Sequence, residues 1–163
     1  MSDETIWVID RTGGAIGPDA VSDALADLVR AARERSSVPG TVRTWAVLGE
    51  LATGDASDDT SDPTGADRAV AHDRVGRRAV RLAVDTVVSV GDDSRWVRAL
   101  HQGAVMEGSW GDEARLVADA DAARDLLDEE LGDGDVILLA GGGAELSRLA
   151  RTLLDDQRCT ARP

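Results

Sequence analysis

Lysine is missing from this chain of 163 residues; all eighteen basic residues are arginine. That excludes the lysine of a phosphate-binding loop, or any lysine as the cation beside a transferred phosphoryl group. Phenylalanine and tyrosine are also missing, and four tryptophans are the only aromatics. The core must therefore be made of Val, Leu, Ile and Ala, which a hydrophobic content of 42% supplies in quantity. A single cysteine, Cys159, excludes an intrachain disulfide and is expected in a frayed tail over 156–163. No run of eighteen apolar residues occurs, and Met1-Ser2-Asp3-Glu4 is not a basic start to an apolar leader. Neither a membrane span nor a secretory signal is expected, and the cytoplasm is the expected location. With 31 acidic residues the formal charge is −13, which repels nucleic acid and anionic membrane.

What is there is a regular alternation. Thr5–Asp10, Thr41–Leu48, Thr86–Val90, Arg115–Ala118 and Asp135–Ala140 are short apolar runs, read as buried strands. Between them lie segments of helical spacing: one opened by Pro18, then 67–82, 94–103, 120–131 and 144–154. In the first helix Val21, Ala24, Leu25, Leu28, Val29 and Ala32 form the apolar face. In the second, Ala69, Val70, Val75, Ala79 and Leu82 are expected to point inward. Continuous apolar strands belong to a mainly parallel sheet covered on both faces. The expected fold is α/β, a Rossmann-like three-layer sandwich in one domain spanning 1–163. The polar, acidic stretch 53–66 is expected to be a mobile loop that can be shortened at small cost.

In such a sheet ligands sit at the carboxyl ends of the strands. Three loops fall there. The first, Asp10 to Pro18, carries Gly13, Gly14 and Gly17; it is either a ligand loop with open backbone N–H groups or a plain strand-to-helix turn. The second contains Gly49-Glu50, the acidic stretch and His72. Imidazole and carboxylate could orient a ligand or move a proton, or His72 could simply pack at its helix start. The third is Gly141-Gly142-Gly143, read first as a tight turn. Asp10, Gly13, Gly14, Glu50, His72, Gly141 and Gly142 are thus the candidate ligand-binding residues. No residue is assigned a catalytic role and none a metal. The acidic clusters Asp55/Asp58/Asp59/Asp62 and Asp125/Asp128/Glu129/Glu130/Asp133 lack the register of a calcium loop. His101 is read as a surface residue, Trp7 and Trp45 as strand packing, and Trp110 as a loop residue.

Ala46-Val47-Leu48-Gly49-Glu50, then Ala71-His72-Asp73-Arg74-Val75-Gly76, then Gly134-Asp135-Val136-Ile137-Leu138-Leu139-Ala140-Gly141, stand in an order that resembles the C-terminal domain of the Mur ligases. The likeness runs from about Thr5 to about Leu154 and is nearest to the members that add D-alanyl-D-alanine to a UDP-muramoyl tripeptide. It implies a domain that presents an amino acid or dipeptide to an acyl phosphate in cell-wall peptidoglycan synthesis. ATP and magnesium are implied only for a complete ligase, none for this domain alone. The implied partners are an ATPase-domain protein, or the N-terminal UDP-binding and central ATPase domains, and the domain alone is expected to be inactive. Two loops depart from the family pattern. Gly13, Gly14 and Ile16 stand where it has a Tyr and two Asn, and Ala140, Gly142 and Gly143 where it has Lys, Ser and Arg or Ala. A degenerate binding or interaction module on the same fold is therefore the alternative. An independent nucleotide binder is the weaker third, since no G-x-G-x-x-G occurs.

Overall fold

The computed structural model describes residues 5–36, 41–52, 65–108 and 113–162. Six strands and five helices follow one another: β1 (Ile6–Arg11), α1 (Pro18–Arg35), β2 (Thr44–Leu48), α2 (Ala66–Arg81), β3 (Thr86–Val90), α3 (Arg95–Met106), β4 (Ala114–Val117), α4 (Ala120–Glu130), β5 (Val136–Ala140), α5 (Gly143–Asp155) and β6 (Cys159–Ala161). All pairings are parallel, in the order β4-β3-β2-β5-β1-β6. This is the α/β, Rossmann-like three-layer arrangement expected from the apolar runs.

Each inner strand is buried on both sides because successive side chains feed different cores. Trp45, Val47, Ile137 and Leu139 join α4 and α5 on one face. Ala46, Leu48, Leu138 and Ala140 join α1, α2 and α3 on the other. Two polar staples close the amino end of the sheet. Asp135, almost wholly buried, accepts from the Trp45 indole N–H at 2.9 Å, the Gly132 N–H at 2.9 Å and the Arg43 guanidinium at 3.0 Å. Asp85 accepts from both the N–H and the hydroxyl of Thr44.

Helices α2 and α3 touch through backbone. A Cβ on Gly76 would lie 2.0 Å from the Leu100 carbonyl oxygen, and one on Gly103 would lie 2.2 Å from that of Asp73. Gly103 is thus a contact point inside α3, not its end, and the helix continues to Met106. Three other expectations change. Val70 is 46% exposed, and the inward place on α2 belongs to His72. In α1, Ala31 is fully buried while Val29 and Ala32 are only partly so. The tail, expected to fray over 156–163, is tied down through residue 162: Cys159–Ala161 pairs with Ile6–Val8, and Arg162 donates its N–H to the Val8 carbonyl. Cys159 is buried there, and burial together with Asp156 raises its thiol to about 11, which keeps it protonated. The acidic stretch at 53–64 and Trp110 lie outside the described residues, and α2 already begins at Ala66.

Candidate functional site

Strand order creates the site. The chain leaves β1 and β2 toward α1 and α2 on one face, and leaves β5 toward α5 on the other. Since β5 lies between β1 and β2, the three outgoing loops part at their shared carboxyl edge, where Arg11, Leu48 and Ala140 stand in register. That divergence is a topological switch point and leaves a crevice. The crevice is a cleft of about 530 Å³, bordered by Thr12–Ile16, Glu50–Ala52, Arg68, Gly141, Gly143, Ala144 and Ser147.

Its floor depends on glycine. Gly141 has φ +73°, and a Cβ there would lie 2.9 Å from the carbonyl oxygens of both Gly49 and Glu50. A Cβ on Gly49 would lie 2.5 Å from the Gly142 Cα. The β2 and β5 loops therefore meet backbone to backbone, tied by Gly49 N–H to the Ala140 carbonyl and Gly142 N–H to the Glu50 carbonyl, each at 3.0 Å. Gly13 and Gly14 differ. Neither has positive φ, and a Cβ on either would meet nothing within 4 Å. The fold does not require glycine at those two positions.

His72 lies beneath the cleft with no exposed surface. Its Nε2 accepts the Leu51 N–H at 3.0 Å, so Nδ1 carries the proton and donates it to the Arg68 carbonyl at 2.8 Å. Both ring nitrogens are used, and the neutral ring is the one that fits. Burial is the main cause of its lowered pKa; the Arg68 charge adds to it, while the bond to the Arg68 carbonyl and the Glu50 charge oppose it. His72 thus fastens the start of the β2 loop to α2 and has no path to a ligand. His101, expected at the surface, is instead partly buried, and desolvation lowers its pKa.

Arg68, four residues before His72, reaches into the cleft. Its guanidinium donates to the Leu51 carbonyl at 3.2 Å, lies 4.2 Å from the Trp96 ring centre and stands 3.5 Å from a Glu50 carboxylate oxygen. The other Glu50 oxygen accepts the Ser94 hydroxyl at 3.0 Å. Across the cleft, Asp10 accepts from the Thr12 N–H and hydroxyl, an Asx turn that fixes the first loop. The Ser147 hydroxyl donates to the Thr12 carbonyl at 2.8 Å, holding that loop to α5.

Four of the seven sequence candidates, Gly13, Gly14, Glu50 and Gly141, border one cleft. Asp10 shapes its wall through Thr12. Gly142 and His72 build the floor from behind. Arg68, Thr12 and Ser147 were not candidates. Only Arg68 offered a signal, one helical turn before a histidine on the same face.

No family model matches the chain. Over 157 residues it is 42% identical to UDP-N-acetylmuramoyl-tripeptide--D-alanyl-D-alanine ligase of Mycobacterium leprae, an alignment covering 93% of this chain and 28% of that ligase. The enzymes of the same name from Mycobacterium bovis and Mycobacterium tuberculosis are 39% identical over 166 residues, covering 94% of this chain and 30% of theirs. The chain spans only about 30% of the length of these relatives, their C-terminal part.

Proposed function

We propose that this chain, a homologue of the C-terminal part of the Mur ligases, receives the incoming amino acid or dipeptide at the carboxyl edge of its sheet. It presents that amine to an acyl phosphate held by an ATPase domain. The observation that carries the reading is the switch-point cleft, where a half-exposed carboxylate and a guanidinium face open glycine backbone. The relatives' name supplies the acceptor chemistry, D-alanyl-D-alanine joined to a UDP-muramoyl tripeptide. On this reading the chain works in peptidoglycan synthesis in the cytoplasm; no helix among the described residues is long and apolar enough to cross a membrane.

ATP and magnesium are implied by the family only for the whole ligase. There is no lysine in the chain. Among the described residues no three His, Cys, Asp or Glu side chains group to hold a metal. Nucleotide and metal are therefore assigned to the rest of a complete ligase, and the chain alone is expected neither to hydrolyse ATP nor to ligate. A second reading, a degenerate binding module, draws on Gly13, Gly14, Gly142 and Gly143 standing where the family carries larger side chains.

An amide-resolved NMR titration with D-alanyl-D-alanine tests the proposal. Shifts should gather at Gly13, Gly14, Glu50, Arg68, Gly141 and Gly143. Saturating dipeptide with no shift in the cleft would leave the degenerate module standing.

A further inference from the structure

Among the described residues bordering the cleft, Glu50 and Arg68 form an opposed pair of charges, and the two members are anchored differently. Arg68 is anchored by contacts that include the Trp96 ring at 4.2 Å and the Leu51 carbonyl at 3.2 Å, and by its place in the first turn of α2. Glu50 is fixed by the Ser94 hydroxyl at 3.0 Å, and Ser94 is itself the N-cap of α3, accepting from the Val97 N–H. Neither anchor needs the other charge. The contact between them, 3.5 Å, is longer than the ~2.7–2.9 Å of a charge-assisted hydrogen bond. Their side chains are 30% and 42% exposed, on the side that faces the cleft. A pair in this setting contributes little to stability. Two separately anchored charges of opposite sign, loosely joined and open to a cleft, present a dipole to whatever enters.

We propose that Glu50 and Arg68 are a zwitterion receptor: the Glu50 carboxylate takes the ligand's ammonium group and the Arg68 guanidinium takes its carboxylate. This rests on the reading of the cleft as the amino-acid or dipeptide site, and it assigns the two ends of the ligand to named residues. A ligand charged at one end only leaves one member of the pair facing a neutral group. Phosphate offers Glu50 nothing but repulsion. Ser94 and Trp96, both on α3, are then positioning residues, since they aim the two charges without touching the ligand. The glycine edges at Gly13, Gly14 and Gly143 leave space and backbone N–H groups for the ligand's middle. With no amide or lysine side chain in the first and third loops, discrimination falls to this pair.

The test compares affinities, by NMR titration of the intact chain, for D-alanyl-D-alanine, its N-acetyl derivative and its C-terminal amide. Each block should weaken binding roughly 10- to 100-fold, the loss expected when a charged hydrogen-bonding partner is removed. In Glu50→Gln the free and N-acetylated dipeptides should bind alike, while the amide remains worse than the acid. In Arg68→Gln the acid and amide should bind alike, while acetylation still costs affinity. Should Arg68→Gln fail to fold, the wild-type amide comparison decides that arm alone. Blocked and free dipeptides binding equally in the cleft would overturn the receptor and leave the presenting role intact. Failure of every dipeptide to bind would overturn both.

Discussion

The two ends of the same sheet are built on opposite rules. At the amino end polar groups satisfy one another. Asp135 takes hydrogen bonds from Trp45, Gly132 and Arg43, Arg43 continues to the Glu130 carbonyl, and Thr44 and Asp85 exchange three more. At the carboxyl end the β2 and β5 loops meet through backbone and glycine, His72, Asp10 and Ser147 anchor the loops from the side, and the Glu50 and Arg68 side chains are left partly exposed around a cleft. A saturated buried network stabilises a single structure and has nothing left to offer a ligand. The carboxyl edge instead keeps two partly exposed charges, Glu50 and Arg68, beside its cleft. On the proposed reading the difference assigns stability to one end and recognition to the other, in keeping with crossover helices that diverge from the carboxyl ends of parallel strands.

The largest effect should come from the amino end. Asp135→Ala strands the Trp45 and Gly132 N–H groups in a buried setting, while the half-exposed Arg43 regains water. A loss of about 3 kcal/mol in urea unfolding is expected, with dipeptide affinity unchanged in the folded protein. Weakened binding in that variant would break the separation. Gly49→Ala acts at the other end, where its methyl meets the Gly142 backbone; about 2 kcal/mol should be lost. Unlike Asp135→Ala, it should also disturb the cleft amides in an NMR spectrum.

His72→Leu removes the acceptor of the buried Leu51 N–H, and about 1–2 kcal/mol should follow. The pH dependence sharpens the point. The folded state holds His72 neutral with its pKa lowered, while the unfolded chain titrates near ~6.5. Its contribution is therefore complete above that value and is lost as pH falls from there toward the folded pKa. Unfolding free energies of wild type and His72→Leu should converge as pH falls from about 7.5 to about 5. A gap that stays constant or widens would mean the imidazole is not held neutral. The smallest effect belongs to Gly13→Ala. With no positive φ and no neighbour for the methyl, thermal stability should stay within ~0.5 kcal/mol, yet dipeptide binding should weaken. An unchanged affinity would remove the first loop from the site.

Much of this was legible beforehand, for identifiable reasons. Strands β1 to β5 are short apolar runs, β2 and β5 buried along their whole length, and such runs announce themselves. Strand β6 is only Cys159-Thr160-Ala161, has one buried residue, and pairs with a segment at the far end of the chain; nothing local marks it. Gly103 looked like a helix end because its reason for being glycine is Asp73 on another helix. A cleft lies at the sheet edge where topology puts the candidate loops, and Gly13, Gly14, Glu50 and Gly141 border it. His72 was noticed for its chemistry, but its role is set by Leu51, whose N–H it accepts across the β2 loop. Arg68 stands one helical turn before His72, the one signal the sequence offers for it, while its stack on Trp96 is a contact that no spacing reveals.

Hydrogen–deuterium exchange of the intact chain, with and without saturating D-alanyl-D-alanine, compares both ends at once. Added protection is expected over 12–14, 49–52 and 141–144, with none over 43–45 or 132–136. Protection at the amino end, or none at either end, would contradict the assignment of recognition to the carboxyl edge.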